Sequence, residues 1–320
     1  MMDEGPVTPA AEGDNVIAFP RTPDKVRRFV FEEAPVRGQL VDLTESWKAA
    51  LATRRYAIPV REVLGQAMGA VALLASSLKF DGRMTLQVTG DGPLRMLVVQ
   101  CRSDLSMRAM SHAEDDACET TTFRELVGDG RLVLSLEATD GQRYQGIIAL
   151  ERPTFVACLE NYFANSEQLP TRLWLRANRQ RVVGLLLQKM PLEENVPEAA
   201  EAEATNHWGR LQGLVDVASP DELLRHDDEA LLRKLFTSDD VRLFDPTPLR
   251  FHCPCSRERI ARVLRMMGRE EVDAEVAESG ALTVSCEFCG RSYAYDEEDV
   301  AQLFARSDDE APPSGDPTLH

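Results

Sequence analysis

The sequence predicts an α+β protein with a mixed sheet-and-helix core domain, a helical linker and a small C-terminal zinc-binding domain. Three observations carry that prediction. Between residues 83 and 190, segments with strand-like patterning are joined by glycine-rich turns. A long apolar stretch near residue 70 has the length of a core helix. Four cysteines near the C-terminus fall in two tight pairs, Cys253/Cys255 and Cys286/Cys289. At 320 residues, with 43% hydrophobic and 28% charged residues, the chain has the length of about two domains and an ordinary core.

Residues 1–28 open on MMDEGPVTPAAEGDN, are polar and proline-rich without period, and read as a disordered extension. Residues 29–191 carry the pattern of the core domain. Thr44 with Trp47 offers a cap ahead of the helix formers of TESWKAALATRR. Pro59 interrupts the line, and VREVLGQAMGAVALLASSLK then reads as a long helix buried on most of its surface. Its apolar run contains Gln66 and is short for a membrane span of ~20 residues. In RMTLQVTG, Met84, Leu86 and Val88 alternate with Thr85, Gln87 and Thr89, the period of a half-buried strand. The turn at Gly90–Leu94 leads into the strand LRMLVVQC, and GDGRLVLSLEATDGQRYQGIIAL repeats the hairpin. Neither Gly-Asp-Gly run sits in a phosphate-binding fingerprint. FVACLENYFANSEQLP reads as a helix ending near Pro170, followed by the strands TRLWLRA and RVVGLLLQKMP. These elements argue one sheet-and-helix domain.

Residues 192–248 change character. Between Glu193 and Asp245 there are fourteen acidic and five basic residues, yet Leu211, Leu214, Val215, Leu231, Leu232, Leu235 and Phe236 keep amphipathic helical spacing. Such a segment is too apolar for an inert tether and too charged for a core of its own. It is expected to pack on a neighbour through one face, either as a solvated connector or as a marginal element that opens at low cost.

Residues 249–304 form a small domain whose core is marginal without help from a metal or a crosslink. Residues 305–320 read as a disordered tail. Cys-x-Cys, thirty residues and Cys-x-x-Cys suit tetrahedral zinc, so Cys253, Cys255, Cys286 and Cys289 are the expected ligands of one ion. Four sulfurs fill the tetrahedron and leave the adjacent His252 outside it. SRERIARVLRMMG reads as an amphipathic helix with Ile260, Val263, Leu264 and Met267 on one face, and GALTVSCEFCGRSYAY as a hairpin turning at Cys286–Gly290. Each pair lies inside or at the edge of disulfide reach. Arg257, Arg259 and Arg262 would favour thiolate over thiol. Oxidising a ligand removes the charge that holds a metal, and here metal affinity is folding energy. Spacing alone leaves a static zinc module and an oxidation switch both open.

Composition narrows the classes further. A net charge of −17 repels phosphate backbones and anionic lipid, which argues against nucleic-acid and membrane partners. The acidic, proline-rich start has no signal-peptide pattern, so a cytoplasmic location is expected, where seven cysteines are poor candidates for structural disulfides. Cys101, Cys118 and Cys158 stand alone and read as ordinary buried thiols. Five scattered histidines form no nucleophile–base constellation, so no enzyme is expected.

Several motifs, in order along residues 29–304, resemble the bacterial redox-regulated 33-kilodalton heat-shock protein family, the 33 kDa chaperonins. They are LKFDG at Leu78–Gly82, GDGP at Gly90–Pro93, RYQGI at Arg143–Ile147, CLENYFANSEQLPTRL at Cys158–Leu173, CPCSRER at Cys253–Arg259 and CEFCG at Cys286–Gly290. The resemblance implies an ATP-independent holdase of the oxidative and heat stress response. Its reduced form holds zinc on the four cysteines and is inactive. Oxidation pairs Cys253 with Cys255 and Cys286 with Cys289, zinc leaves, the linker loosens, and a homodimer captures unfolded or oxidatively damaged client proteins. The N-terminal extension, the acidic tail and the three lone cysteines depart from the family pattern, and extra thiols could add side disulfides.

Two rivals remain on the sequence. One is a static four-cysteine zinc-ribbon adaptor for nucleic acid or protein. Eight arginines against eleven acidic residues over Arg250–Arg306 weaken its nucleic-acid form, although the arginines of 257–269 could make a local basic stripe. The other is a thiol oxidoreductase using Cys286-x-x-Cys289, but such motifs open a helix beside a βαβ unit, and this one sits in a hairpin.

Overall fold

The computed structural model describes residues 24–114, 122–192 and 196–308. The core runs β1 (Lys25–Phe31), β2 (Val36–Leu43), α1 (Glu45–Leu51), α2 (Ile58–Ser77), β3 (Gly82–Thr89), β4 (Leu94–Arg102) and β5 (Ser106–Ala113). It continues with α3 (Phe123–Val127), β6 (Arg131–Ala138), β7 (Arg143–Ala149), α4 (Phe155–Tyr162), β8 (Thr171–Ala177) and β9 (Val182–Lys189). Next come α5 (Glu198–Asp216), α6 (Pro220–Arg225), α7 (Asp228–Leu235), β10 (Val241–Leu243), β11 (Thr247–Pro248) and β12 (Arg250–Phe251). The C-terminal unit holds α8 (Arg257–Met267), α9 (Arg269–Ser279), β13 (Leu282–Ser285), β14 (Ser292–Tyr295) and α10 (Glu297–Asp308).

α2 is the middle layer. It packs on β2, β8 and β9 on one side and on β3, β4 and β5 on the other. From Val63 to Ala75 every residue except Gln66 is buried. Pro59 opens this helix in its first turn, where a missing N–H costs nothing. The helix is long and apolar enough to cross a membrane by length and composition, and here it forms the shared core of two sheets.

The core domain holds two six-stranded sheets. The first has the order β10-β1-β2-β9-β8, with β11 also on β1; the second runs β12-β5-β4-β3-β6-β7. β2 escaped the periodicity because both of its faces are covered. Val41 and Leu43 face the α2 core, while Val36 and Leu40 belong to a second apolar cluster under the linker helices. The two Gly-Asp-Gly turns pack on each other, with Asp129 N–H donating to Asp91 Oδ1 at 2.6 Å.

The ordered chain also starts before Phe29, which corrects the expected 1–28 extension. Thr44 precedes α1 without a side-chain cap bond. The Asp24 carboxylate caps the helix instead, accepting from the N–H groups of Thr44, Glu45 and Ser46 at 2.6, 2.9 and 2.6 Å. Residues 1–23 and 309–320, on which the remainder of the extension and tail expectations fall, lie outside the described residues.

The linker docks on the outer face of the first sheet. Leu211, Val215, Leu231, Leu232 and Phe236 cluster with Phe29, Phe31, Leu40, Trp174 and Leu185. Arg181, buried and doubly bonded to Asp42 at 2.7 and 2.8 Å, also donates to the linker carbonyls of Leu224 and His226 at 2.8 and 3.1 Å. The segment is not helical throughout. β10 and β11 extend the first sheet through β1, and β12 joins the second in parallel with β5. Strands of two or three residues have no period for a sequence to display.

The C-terminal unit has its own core of Ala261, Leu264, Val272, Val276, Tyr295, Val300, Leu303 and Phe304. The buried face of α8 is centred on Ala261 and Leu264, whereas Val263 and Met267, expected inward, are 47% and 52% exposed. α9 was not read from the sequence, and α10 runs past Phe304 to Asp308.

Gly38 is set by a close approach: a Cβ there would lie 2.0 Å from Cζ of Phe29. Phe29 in turn lies 6.2 Å from Phe236 of the linker, ring centre to ring centre. Gly38→Ala should therefore destabilise by about 1–3 kcal/mol and loosen the linker first. The expected readout is a lower thermal midpoint with protease cuts in 196–245 preceding cuts in the core. An unchanged midpoint would contradict this packing.

Candidate metal centre

Two local structures bring the thiols together. Cys253 and Cys255 follow β12 directly and precede α8, whose N-cap Ser256 accepts from the N–H of Arg259 at 3.3 Å. Cys286 and Cys289 occupy the turn between β13 and β14. There Cys286 N–H donates to Arg291 O at 2.9 Å and Gly290 N–H to Cys286 O at 2.8 Å. Gly290 takes a φ of 69°, the left-handed region where a side chain is strained.

The four sulfurs lie within 4.8 Å of one another, all half-buried, and this is the one such cluster among the described residues. Across the pairs, Cys253 and Cys286 lie 3.6 Å apart and Cys255 and Cys289 3.3 Å apart. Thiolates about 2.3 Å from a tetrahedral zinc ion lie roughly 3.8 Å apart, so the cluster fits that ion's dimensions. A donor set of sulfur alone suits zinc or another soft metal and does not suit calcium or magnesium. His252 is exposed, and its backbone N–H is engaged by Met107 O at 2.9 Å.

The thiols differ in acidity. Burial pushes Cys255 up, but hydrogen bonds outweigh it and bring Cys255 down to about 7; they come from Tyr293, at 3.2 Å, and from the other three cysteines. Burial pushes Cys289 up to about 12 and raises Cys286 as well, against the backbone N–H groups of Phe288 and Cys289.

A cation that bonds the cluster is not among those expected. Arg257 is engaged within the small domain, by Ala294 O at 2.8 Å, Asp299 at 2.7 Å and the Tyr295 ring at 4.2 Å. Arg259 and Arg262 are exposed. Instead Arg108 of β5 donates to Cys253 Sγ at 3.5 Å. Arg108 and Tyr293 carry no local sequence signal as partners of thiols.

Cys101 and Cys158 are buried in the α2 core. Burial, with Asp104 adding to it, pushes Cys101 up to about 12, and burial also raises Cys158. Cys118 lies outside the described residues.

Comparisons with known proteins point one way. The profile of the family described as Hsp33 protein matches residues 24–296. The 33 kDa chaperonin of Pseudomonas aeruginosa strain UCBPP-PA14 is 42% identical over 292 residues, covering 90% of this chain and 97% of its own length. That of Azotobacter vinelandii is 43% identical over 291 residues, with the same coverage of 90% and 97%. The crystal structure of a 33 kDa chaperonin from Thermotoga maritima superposes with a TM-score of 0.73 at 19% identity, over 89% of this chain and 99% of that one; it shows a shared fold.

Burial predicts selective labelling. With chelator at pH 8, iodoacetamide should modify Cys253, Cys255, Cys286 and Cys289 while the core stays folded, and spare Cys101 and Cys158, which the core buries, until denaturant is added. Peptide mapping checks this, and early labelling of Cys101 would contradict its burial.

Proposed function

The chain belongs to the Hsp33 family, and from that membership we propose that it is a redox-regulated, ATP-independent holdase that keeps unfolding proteins from aggregating. The family is one of non-enzymatic chaperones. The observation that carries the reading to this chain is the set of four sulfurs within 4.8 Å of one another in a unit with a small core.

Cys253, Cys255, Cys286 and Cys289 would hold the metal, and its chemistry and size favour zinc. Zinc bound there would offset part of the charge of the four thiolates and crosslink the two ends of the small domain. A thiolate attacks peroxide, takes one oxygen to become a sulfenic acid and releases hydroxide. Its neighbour attacks the sulfenic sulfur, forms the S–S bond and expels the second hydroxide. Each hydroxide takes a proton, so two electrons leave each cysteine pair and one peroxide becomes two waters. The pairing carried over from the family is Cys253 with Cys255 and Cys286 with Cys289. Contacts at 3.6 and 3.3 Å also run across the pairs, so peptide mapping is the test of that assignment.

A disulfide sulfur has no charge with which to hold a cation, and the small domain loses its crosslink. The marginal linker then leaves the first sheet and uncovers Phe29, Phe31, Leu40 and Trp174 for clients. The oxidised chain acts as a homodimer in the cytoplasm. Its charge of −17 argues against nucleic acid and membrane as partners.

Peroxide at raised temperature should release about one zinc per chain, remove the free thiols of the cluster and produce new suppression of client aggregation. Retained zinc with no gain of activity would point to a static zinc module, and catalytic turnover of a disulfide substrate to an oxidoreductase. A second expectation separates the linker from the metal. Phe236→Ala should weaken linker docking by about 3–5 kcal/mol and give aggregation suppression without oxidant, with the four thiols still reduced. Strict dependence on oxidant in that variant would count against the linker as the cover.

A further inference from the structure

We propose that the turn carrying Cys286 and Cys289 is also the plug that docks the small domain on the core, and that Arg108 is the positioning residue holding it there. The proposal rests on the reading of the cluster as a site opened by oxidation.

The orientation of Arg108 is set from within the core. Its Nε and Nη2 donate to Gln100 Oε1 on β4 at 2.9 and 2.7 Å, which fixes the guanidinium plane. The same group reaches Cys253 Sγ through Nη1 and lies 3.9 Å from the centre of the Phe288 ring. One cation thus touches Cys253 of the first pair and Phe288, one of the two residues between the second pair.

Two further contacts share this surface. Glu287 pairs with Arg54 and lies 3.2 Å from His112 Nε2, while Arg54 and His112 are themselves 3.0 Å apart. Gly290 rests against Thr53, where an added Cβ would lie 3.4 Å from Cγ2. Glu287, Phe288 and Gly290, which read as spacers in a metal motif, all meet the core. The Glu287 and Arg54 side chains are 46% and 41% exposed, so that pair is screened and contributes little. The stacked, partly buried Arg108 is the stronger contact.

The anchor depends on the state of the thiols. A Cys253 thiolate accepts a charge-assisted bond from Arg108, and a neutral disulfide sulfur does not replace it. Oxidation therefore weakens docking at β5 directly, in addition to any effect through the linker. Linkage makes the converse hold: a contact that favours the reduced, docked form must resist oxidation by the same factor.

The test uses the full-length, zinc-loaded, reduced chain and its Arg108→Ala, Arg108→Lys and Phe288→Trp variants. Hydrogen exchange is followed at 250–252 and 106–110, and cluster oxidation is titrated in glutathione buffers. Arg108→Ala should speed exchange at β12 and make the cluster oxidise at an oxidised-to-reduced glutathione ratio lower by about tenfold, an ordinary coupling. Arg108→Lys, which loses the planar fork, should move both the same way, and Phe288→Trp, which keeps the ring, should stay near the parent. An unchanged thermal midpoint of the core shows that the variants fold. Parent-like exchange, or a parent-like titration, in Arg108→Ala overturns the proposal. Should the parent chain keep its zinc under peroxide, the functional reading fails, and the exchange comparison still decides whether Arg108 docks the plug.

Discussion

Four sulfurs within 4.8 Å of one another cannot all carry a negative charge unless a cation lies among them. At such distances each pair of unit charges repels by about 4 kcal/mol at an effective dielectric of 20. The cluster is therefore protonated, metal-bound or oxidised, and these states differ in what they hold together. Only a metal binds both ends of the small domain through all four residues. The core of that domain holds two large side chains, Tyr295 and Phe304, among smaller aliphatic ones. Its stability follows the chemistry of its thiols.

The linker is attached through a different set of contacts. Its acidic helices lie over a sheet that presents Lys25, Arg27, Arg172 and Arg181, and ion pairs such as Arg27–Glu229 and Arg172–Asp216 join them. Partly exposed pairs of this kind contribute little. The apolar cluster around Phe31 and Phe236, whose rings meet edge to face at 4.9 Å, carries most of the docking. On the proposed function, this apolar face is what opens when the far end of the linker loses its anchor.

What could be read from the sequence follows the range of the interactions. The α2 helix, the β3–β4 and β6–β7 hairpins and the four cysteines were legible because each is a pattern within one contiguous stretch. The cap on α1 was not, since Asp24 lies twenty residues from the helix it closes. β2 hid its period because it is covered on both faces, and β10 to β12 are too short to have one. The cation at Cys253 was sought on the neighbouring helix, yet it comes from a strand 145 residues away. Charge near a thiol is a tertiary property, and a run of arginines beside a cysteine says nothing of where those side chains turn.

The short strands explain why a change at the cysteines need not stay local. Between Val241 and Phe251 the chain passes from the first sheet, through β10 and β11, to the second, through β12, with Leu249 buried in the α2 core between them. Cys253 follows two residues later. The first thiol pair is thus tied by a few residues to both layers of the core and, through β10, to the end of the linker. β12 holds its place through few backbone bonds, among them Arg250 N–H to Leu105 O at 3.4 Å and His252 N–H to Met107 O at 2.9 Å. Two such bonds at a sheet edge can be exchanged for water at little net cost. On the proposed function, the anchor at Cys253 keeps β12 seated, and its loss frees the strand and the linker behind it together.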